Sequence, residues 1–290
     1  MQTVFQSLVN GVLLGGLYAI IGLGMSLIFG IMGLTNLSHG AFMIVASYIV
    51  MIFAAQFAGN IFLAFLIALI AMMIVGFLVQ NTLINRVVDK GSEPPLLITF
   101  GISVILQNVM LQVFGADQRI IRTPFLATNI ITTPWFSISA IYMINFIVAL
   151  VILIAVNLII KRTFFGRAIR ATSDDVMASE LMGINTKRIY SYTMSFAMAV
   201  SVIAGFLVGM TFNFYPTAGT QYLIIAFGVV VIGGMGNLVG TLIGGIVLGL
   251  AQMIGSLLFG IAYQFISGFV VMLIILTIRP EGLFASAKRK

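Results

Sequence analysis

The feature that most constrains this chain is the length of its charge-free stretches. Residues 123–160 and 189–278 contain no Asp, Glu, Lys or Arg, and the first charged side chain is Arg86. Of the 290 residues, 61% are hydrophobic and 7% are charged, whereas a soluble domain has about 25% charged residues. A folded chain of about 300 residues still leaves about a quarter of its surface in water. Lipid must therefore be the solvent for most of this chain.

Transmembrane helices fit the apolar runs better than a β-barrel does. In lipid the backbone must satisfy its own hydrogen bonds, which leaves helices or a closed barrel. Barrel strands alternate apolar and polar side chains, and runs such as Ile61–Val79 do not alternate. One crossing takes about 20 apolar residues. The sequence therefore predicts one all-α transmembrane domain over residues 1–290, with about nine helices and a range of eight to ten. The predicted crossings are Ser7–Met32, Ala41–Ala58, Ile61–Leu83, Leu96–Phe114, Ser137–Ile160, Ile189–Phe212 and about three within Tyr222–Ile278.

Several interruptions of the apolar pattern bear on the architecture. The run Gly33–Gly40 (GLTNLSHG) is polar and uncharged in apolar surroundings, which predicts a break or a tight re-entrant turn. Pro94 and Pro95 are predicted to stop any helix in the first polar loop, because proline lacks an N–H and restricts the residue before it. Asn213–Gln221 predicts a short turn, and the glycine-rich region 233–240 is a candidate half-helix.

The segment Lys161–Arg188 is a charged island between two apolar regions. It holds six of the 14 basic residues and three of the seven acidic residues. Because basic residues concentrate in cytoplasmic loops, the island is predicted to be cytoplasmic, together with Arg86, Lys90 and the basic tail Arg279–Lys290. Three crossings before Arg86 then place the N-terminus outside. The net charge of +7 sits in these loops, which is the pattern of topology determinants and not of a nucleic-acid surface.

A short helix is predicted inside the island. Thr172 or Ser173 is expected to cap it, and the next two acidic residues place negative charge at its positive end. The helix is predicted to run over Asp174–Met182 and to end at Gly183, because glycine commonly ends helices. It would form either a rigid docking element for another protein or a solvated loop that only sets the topology.

The motifs of the chain resemble one family of membrane proteins. Gly166–Ala171 (GRAIRA), Ala178, Ser179 and Gly183–Asn185 (GIN) look like the cytoplasmic loop of ATP-binding-cassette (ABC) importer permeases, and most closely that of branched-chain amino acid permeases. Met177–Ser179 stands where the broad permease pattern has Glu-Ala-Ala, which is a subfamily variant. Further segments resemble the family in its order along the chain: Asn36–Gly40 (NLSHG), Leu97–Asn108 (LITFGISVILQN), Gly233–Gly240 (GGMGNLVG) and Arg279–Phe284 (RPEGLF).

The resemblance implies a fold, a function and a set of partners. It implies the ABC importer permease fold in the cell membrane, import of branched-chain amino acids, and a coupling loop at residues 161–188. The expected partners are a second similar permease chain, two ATPase subunits and a periplasmic or extracellular solute-binding protein. Related permeases carry urea and short amides, so the substrate stays open. The residues expected at the ATPase contact are Asp174, Asp175, Ala178, Ser179, Glu180 and Gly183.

Uncharged polar residues in the apolar segments are candidates for the translocation pathway. The alternative for His39 is that it caps a broken helix and bonds to backbone. The alternative for the amides is hydrogen bonding between helices. The candidates are Asn36, His39, Thr99, Gln107 and Asn108.

Two further groups of residues have open roles. Gly236, Gly240 and Gly244 are spaced one turn apart, which is typical of helix packing in lipid. They serve packing within the chain or a moving contact between two permease chains. The loop Gly115–Phe136 is predicted to lie outside. Its charged residues conflict mildly with the positive-inside rule and are either solvated or orient the binding protein; they are Asp117, Arg119 and Arg122. Trp135 stands in the same loop, where an interfacial Trp is expected.

Other function classes fit the sequence less well. The chain lacks a Gly-x-x-x-x-Gly-Lys-Ser/Thr phosphate-binding loop, so ATP hydrolysis is expected of partner subunits. One histidine without cysteines cannot make the usual nucleophilic or metal sets, and no cofactor is expected. A secondary transporter or channel is a second hypothesis. Ion coupling normally needs an ionisable residue in the membrane, and residues 189–278 carry no formal charge.

Overall fold

The computed structural model describes residues 2–57, 59–123, 128–133 and 136–284. Trp135 and the tail residues Lys288, Arg289 and Lys290 lie outside the described residues. The helices are α1 Gln2–Met32, α2 His39–Gln56, α3 Ile61–Thr82, α4 Glu93–Phe114, α5 Ala140–Arg162, α6 Phe164–Asp174, α7 Val176–Leu181, α8 Thr186–Thr211, α9 Gly219–Gly233, α10 Leu238–Phe259 and α11 Gln264–Ile278. Two short strands, β1 Asn129–Thr132 and β2 Ser137–Ser139, pair in an antiparallel manner.

Nine helices in the described ranges are long and apolar enough to cross a membrane, namely all except α6 and α7, when α9 and α11 are taken together with the 3-10 turns that precede them, Pro216–Ala218 and Ile261–Tyr263. The prediction of about nine crossings in an all-α fold is confirmed, and the short β1–β2 hairpin is a small addition to it. The prediction that Pro94 and Pro95 exclude helix is wrong. Both prolines occupy the first turn of α4, where backbone N–H groups have no intrahelical acceptor and proline is tolerated.

Helix α1 is the centre of the molecule. Its middle is buried, and it packs against α5, α8, α9 and α10. The α1–α10 crossing is close because glycines face each other: a Cβ on Gly15 would lie 2.8 Å from Ile246 N, and a Cβ on Gly245 would lie 2.7 Å from Ala19 N. Small residues let two backbones approach in this way, and van der Waals packing drives helix association in lipid.

Two of the helices begin in the interior of the protein after irregular segments. The predicted break after α1 is present, and residues 33–38 lead into α2. A second irregular segment, residues 212–215, leads from α8 through the 3-10 turn Pro216–Ala218 into α9, so Gly219–Gln221 is helical and not part of a turn. The starts of α2 and α9 touch: a Cβ on Gly219 would lie 2.9 Å from Ala41 Cα. The turn near residues 234–237 only joins α9 to α10.

The loops sort onto two faces of the helix bundle. On one face Ser173 Oγ donates to Gly30 O at 2.7 Å, and Lys187 Nζ lies 2.6 Å from Asp89 Oδ2. Leu283 N donates to Ile232 O there as well. On the opposite face, Arg119 and Phe214 exchange two backbone hydrogen bonds of 2.8 Å. We call the first the charged face, because every described charged residue except Asp117, Arg119 and Arg122 belongs to it.

Candidate functional site

The island on the charged face folds as two short helices. Thr163 caps the start of helix α6, because its side chain accepts a hydrogen bond from Gly166 N at 3.0 Å. Its apolar side packs inward, where Ile169 contacts a small cluster with Ile31 and Tyr190. The sequence interpretation did not include this helix, although its apolar residues recur at helical spacing. Helix α6 therefore fixes the island against the ends of α1 and α8.

Helix α7 is shorter than predicted and is capped by a different residue. Asp175, and not Thr172 or Ser173, is the N-cap: its side chain accepts from Ala178 N at 2.9 Å. The predicted caps lie within α6 because that helix continues through residue 174, where one turn was expected to start. At the other end Gly183 has φ of +82° and Ile184 N donates to Ser179 O at 3.0 Å, which closes α7.

The outer side of α7 is apolar and exposed. Met177, Leu181 and Met182 are 75%, 84% and 83% exposed, and Val176 is exposed beside them. These four residues form what we call the α7 apolar surface. Ser179 is the one buried residue of α7. The other residues predicted to meet a partner are exposed around the apolar surface: Asp174, Asp175, Ala178, Glu180 and Gly183.

Helix α7 is joined stiffly to the membrane helix that follows. Thr186 Oγ1 donates to a carboxylate oxygen of Glu180, and Asn185 caps α8 by accepting from Arg188 N at 3.0 Å. The Thr186–Glu180 hydrogen bond therefore ties α7 to the start of α8. An exposed apolar surface on a rigid element of the charged face is typical of a protein-interaction site.

The pathway candidates fall into separate places. Asn36 and Thr99 belong to one buried polar group around the first break: Leu37 N donates to Thr99 Oγ1 at 3.2 Å, and Ser38 Oγ donates to Asn36 Oδ1 at 2.6 Å. His39 is fully buried elsewhere in the core. Its Nε2 donates to Ile21 O at 2.9 Å, which joins the start of α2 to the middle of α1.

Gln107 and Asn108 lie on an open side of α4. Asn108 is exposed and donates to Val104 O of its own helix at 2.8 Å. Gln107 donates to Ser103 Oγ at 3.0 Å and lies 3.4 Å from Thr220 Oγ1 at the start of α9. Sequence reasoning missed Thr220, because the predicted turn hid the position of the α9 start.

The open side of α4 differs from the outer side of α11. Leu97, Val104 and Ile105 are exposed on α4 next to Asn108, and a Cβ on Gly101 would meet no atom within 4 Å. Only Gly268 of α11 is buried, and the large exposed side chains of α11 are all apolar: Phe265, Ile266, Val270, Leu273, Ile274 and Ile278. Helix α11 suits lipid, whereas α4 presents an exposed amide among apolar side chains in its last two turns.

The predicted glycine ladder packs within the chain. A Cβ on Gly236 would lie 2.8 Å from Gly30 Cα, and a Cβ on Gly244 would lie 2.8 Å from Gly233 N. Gly240 faces the backbone of Gly233 in the same way. These contacts hold the α9–α10 turn against the end of α1.

The charged residues of the opposite face lie close to the segment between α8 and α9, which we call the second break. The backbone of Arg119 pairs with Phe214, and its side chain lies 4.0 Å from the Asp117 carboxylate. Asp117, Arg119 and Arg122 are exposed. Among the described residues, no group of three or more His, Cys, Asp or Glu side chains is placed to hold a metal ion.

Comparison with known proteins agrees with this architecture. A model of the family described as a permease component of branched-chain amino acid transport systems matches residues 7–278. The permease BraD of a high-affinity branched-chain amino acid transport system of Pseudomonas aeruginosa is 30% identical over 291 residues, which cover 96% of this chain and 94% of the relative. The corresponding permease LivH of Escherichia coli K12 is 28% identical, with the same coverage of both chains.

A solved structure shares the fold. PsaBC from Streptococcus pneumoniae, solved in complex with a Fab, superposes with a TM-score of 0.51 over 96% of this chain and 93% of its own, at 14% sequence identity. This likeness concerns the fold alone and agrees with the predicted permease fold. The family model spans nearly all of the described helices. The chain therefore belongs to the family of permease components of branched-chain amino acid transport systems.

Proposed function

We propose that this chain is the permease subunit of an ATP-driven importer of branched-chain amino acids in the cytoplasmic membrane. The observation that carries the proposal is the α7 apolar surface. It lies on the charged face, which the distribution of basic residues assigns to the cytoplasm, and the N-terminus is then outside. Large apolar side chains that are exposed together on one element mark a surface that a partner covers. That partner is the ATPase subunit, one of two in the importer.

The contact with the ATPase has a defined chemistry. Burying a Met or Leu side chain contributes about 1.5–3 kcal/mol, so the exposed Met177, Leu181 and Met182 supply the affinity. The carboxylates of Asp174, Asp175 and Glu180 surround them and fit a cleft with a basic rim. Ser179 holds α7 against the bundle, and Gly183 allows the sharp turn into α8.

The solute route follows the open side of α4 and the start of α9. An amide that faces hydrocarbon loses its hydrogen bonds to water, which costs several kcal/mol. Gln107, Asn108 and Thr220 therefore face a second permease chain across a partly hydrated passage. Apolar walls with a few amides and hydroxyls suit leucine, isoleucine or valine. On the outside, Asp117, Arg119 and Arg122 orient the solute-binding protein through ion pairs.

The test uses the complete importer, purified through a tag on this chain. In Leu181→Glu a charge enters the ATPase contact, so we expect at least about tenfold less co-purified ATPase, the equivalent of ~1.4 kcal/mol. The matched control is Ile261→Glu, since Ile261 is 81% exposed and follows α10 on the opposite face. Wild-type amounts of ATPase with Leu181→Glu would contradict the proposed docking site.

Uptake assays separate the alternatives for the substrate and for the class of transporter. Proteoliposomes with the complete importer should accumulate labelled leucine only when ATP is present. Uptake of urea or acetamide in place of leucine would favour the related amide permeases. Uptake by this chain without ATPase subunits would favour a channel or a secondary transporter.

A further inference from the structure

A chain of buried amides connects the start of α8 to the interior of the membrane domain. Asn85, in the turn after α3, donates through Nδ2 to Lys187 O at 2.9 Å and to Ser191 Oγ at 3.0 Å. Its Oδ1 accepts from Gln80 Nε2 at 2.9 Å. Lys187 is the second residue of α8, directly after the α7 segment. The Asp89–Lys187 ion pair of 2.6 Å closes the same turn on its solvent side.

The end of this chain of contacts lacks one hydrogen bond. Gln80 is 0% exposed, and its Oε1 has no hydrogen-bond partner among the described residues. A buried acceptor without a donor is costly, so an arrangement that brings a donor within reach of this oxygen would be stabilised by the new hydrogen bond. Gln80 lines a small cavity together with Asn36 and Thr99.

A donor with a weak partner lines the same cavity. The Nδ2 of Asn36 contacts the sulfur of Met194 at 3.7 Å, and a thioether is a weak acceptor. The other side of Asn36 holds the first break, because its Oδ1 accepts from Ser38 N at 3.0 Å. A movement of Gln80 towards Asn36 would thus replace a weak contact with an amide–amide hydrogen bond, and it would act on the break segment 33–38.

We propose that Gln80 and Asn85 are positioning residues for transport, which carry the movement of α7 and the start of α8 to the break between α1 and α2. In the second conformational state Gln80 Oε1 accepts from Asn36 Nδ2. The inference rests on the proposed function, because the ATPase supplies the movement. Packed elements with two discrete arrangements are the physical basis of such coupling.

The test compares two buried amides that the structure makes alike. Asn145 on α5 is also 0% exposed, donates through Nδ2 to Thr211 Oγ1 at 2.9 Å, and has an Oδ1 without a partner among the described residues. We expect Gln80→Leu to lower leucine uptake per ATP hydrolysed by about threefold to thirtyfold. Asn145→Leu should leave this ratio within about twofold of wild type, although either variant changes thermal stability. An unchanged ratio in Gln80→Leu, or an equal loss in both variants, would overturn the inference.

Two further measurements keep this test separate from that of the proposed function. Gln80→Leu should still co-purify with the ATPase, whereas Leu181→Glu should not. If Leu181→Glu also co-purifies with the ATPase, the result contradicts the proposed function and not the inference about Gln80. Because the chain contains no cysteine, Thr35→Cys and Ile84→Cys, two positions that line the same cavity and leave both amides in place, offer the only thiols of this chain for a short bifunctional reagent. Cross-linking should differ between nucleotide-free and ATP-trapped importer, and equal cross-linking in both states would contradict the proposed rearrangement.

Discussion

The α1–α10 crossing leads to a sharp prediction about a single methyl group. Gly15→Ala adds a Cβ that would lie 2.8 Å from Ile246 N, with Ile246 Cα nearer still. Carbon atoms attract most strongly at about 3.5–4.0 Å, so the new Cβ falls short of this range by more than about 0.7 Å at Ile246 Cα. The obstacle is helix backbone, which cannot rotate away as a side chain can. The two helices must therefore move apart along the glycine contact.

The expected cost follows from that separation. Overpacking a close contact costs about 1–3 kcal/mol, and a gap of about 0.5–1 Å between the neighbouring residues forfeits a quarter to a half of their dispersion energy. The gain from replacing a helical glycine is only about 1 kcal/mol. We therefore expect a net loss of about 1–3 kcal/mol, or roughly 2–12 °C in Tm at about 2–4 °C per kcal/mol. The change in Tm is measured by size-exclusion chromatography of the detergent-solubilised protein after heating.

The control is a glycine in the same class of helix with free space around it. A Cβ on Gly101 of α4 would meet no atom within 4 Å, so Gly101→Ala should keep or raise Tm through helix propensity alone. Equal Tm for Gly15→Ala and wild type would refute the argument that backbone contact at this crossing holds α1. A matching loss in Gly101→Ala would refute it as well, because the loss would then belong to the substitution and not to the contact.

Three further substitutions test individual elements. Asp175→Ala removes the α7 cap and should cost about 1 kcal/mol of local stability, seen as faster hydrogen exchange of the α7 amides, while Asp174→Ala should leave that exchange nearly unchanged. Gly183→Leu forces a bulky residue into φ of +82° and should cost about 1–3 kcal/mol; we expect uptake per ATP to fall while the protein stays in the membrane. Asn108→Leu should reduce leucine uptake while its Tm stays within about 2 °C of wild type. Among the described residues Asn108 bonds only to its own helix, and substitutions at exposed positions change stability by no more than about 0.5 kcal/mol. Wild-type leucine uptake by Asn108→Leu would show that Asn108 does not line the route.

The crossings could be predicted because each is a local property of the sequence. A run of about 20 apolar residues is a sufficient signal in lipid, and the polar run Gly33–Gly40 interrupts it visibly. The second break left a weaker signal. Residues 212–218 form a short and mostly apolar segment, and only the packed structure shows that α9 starts against Ala41 in the interior of the protein.

Helix ends and contacts between distant segments could not be read from the pattern. Pro94 and Pro95 are compatible with the first turn of a helix as well as with a loop. Because α4 begins at Glu93, both prolines belong to its first turn. The N-cap of α7 is Asp175 and not the predicted Thr172 or Ser173, because α6 continues through residue 174. Helix α6 is in turn held by its packing on Ile31 and Tyr190. The Gln80–Asn85–Lys187 contacts join residues about 100 positions apart, which no local pattern reveals.

The environment of each polar side chain decides which role it can have in a chain that is mostly surrounded by lipid. The carboxylates around α7 face water at little cost, so the apolar surface beside them is the part of α7 that the proposed ATPase contact would cover. Asn108 would face hydrocarbon if the chain stood alone, so its cost disappears only against another chain or a hydrated passage. Gln80 is already inside the protein, and its Oε1 lines the same small cavity as Asn36. A rearrangement that brings these two amides together would supply the missing hydrogen bond from within the chain, which is why the Gln80→Leu variant tests the coupling and not the contact with a partner.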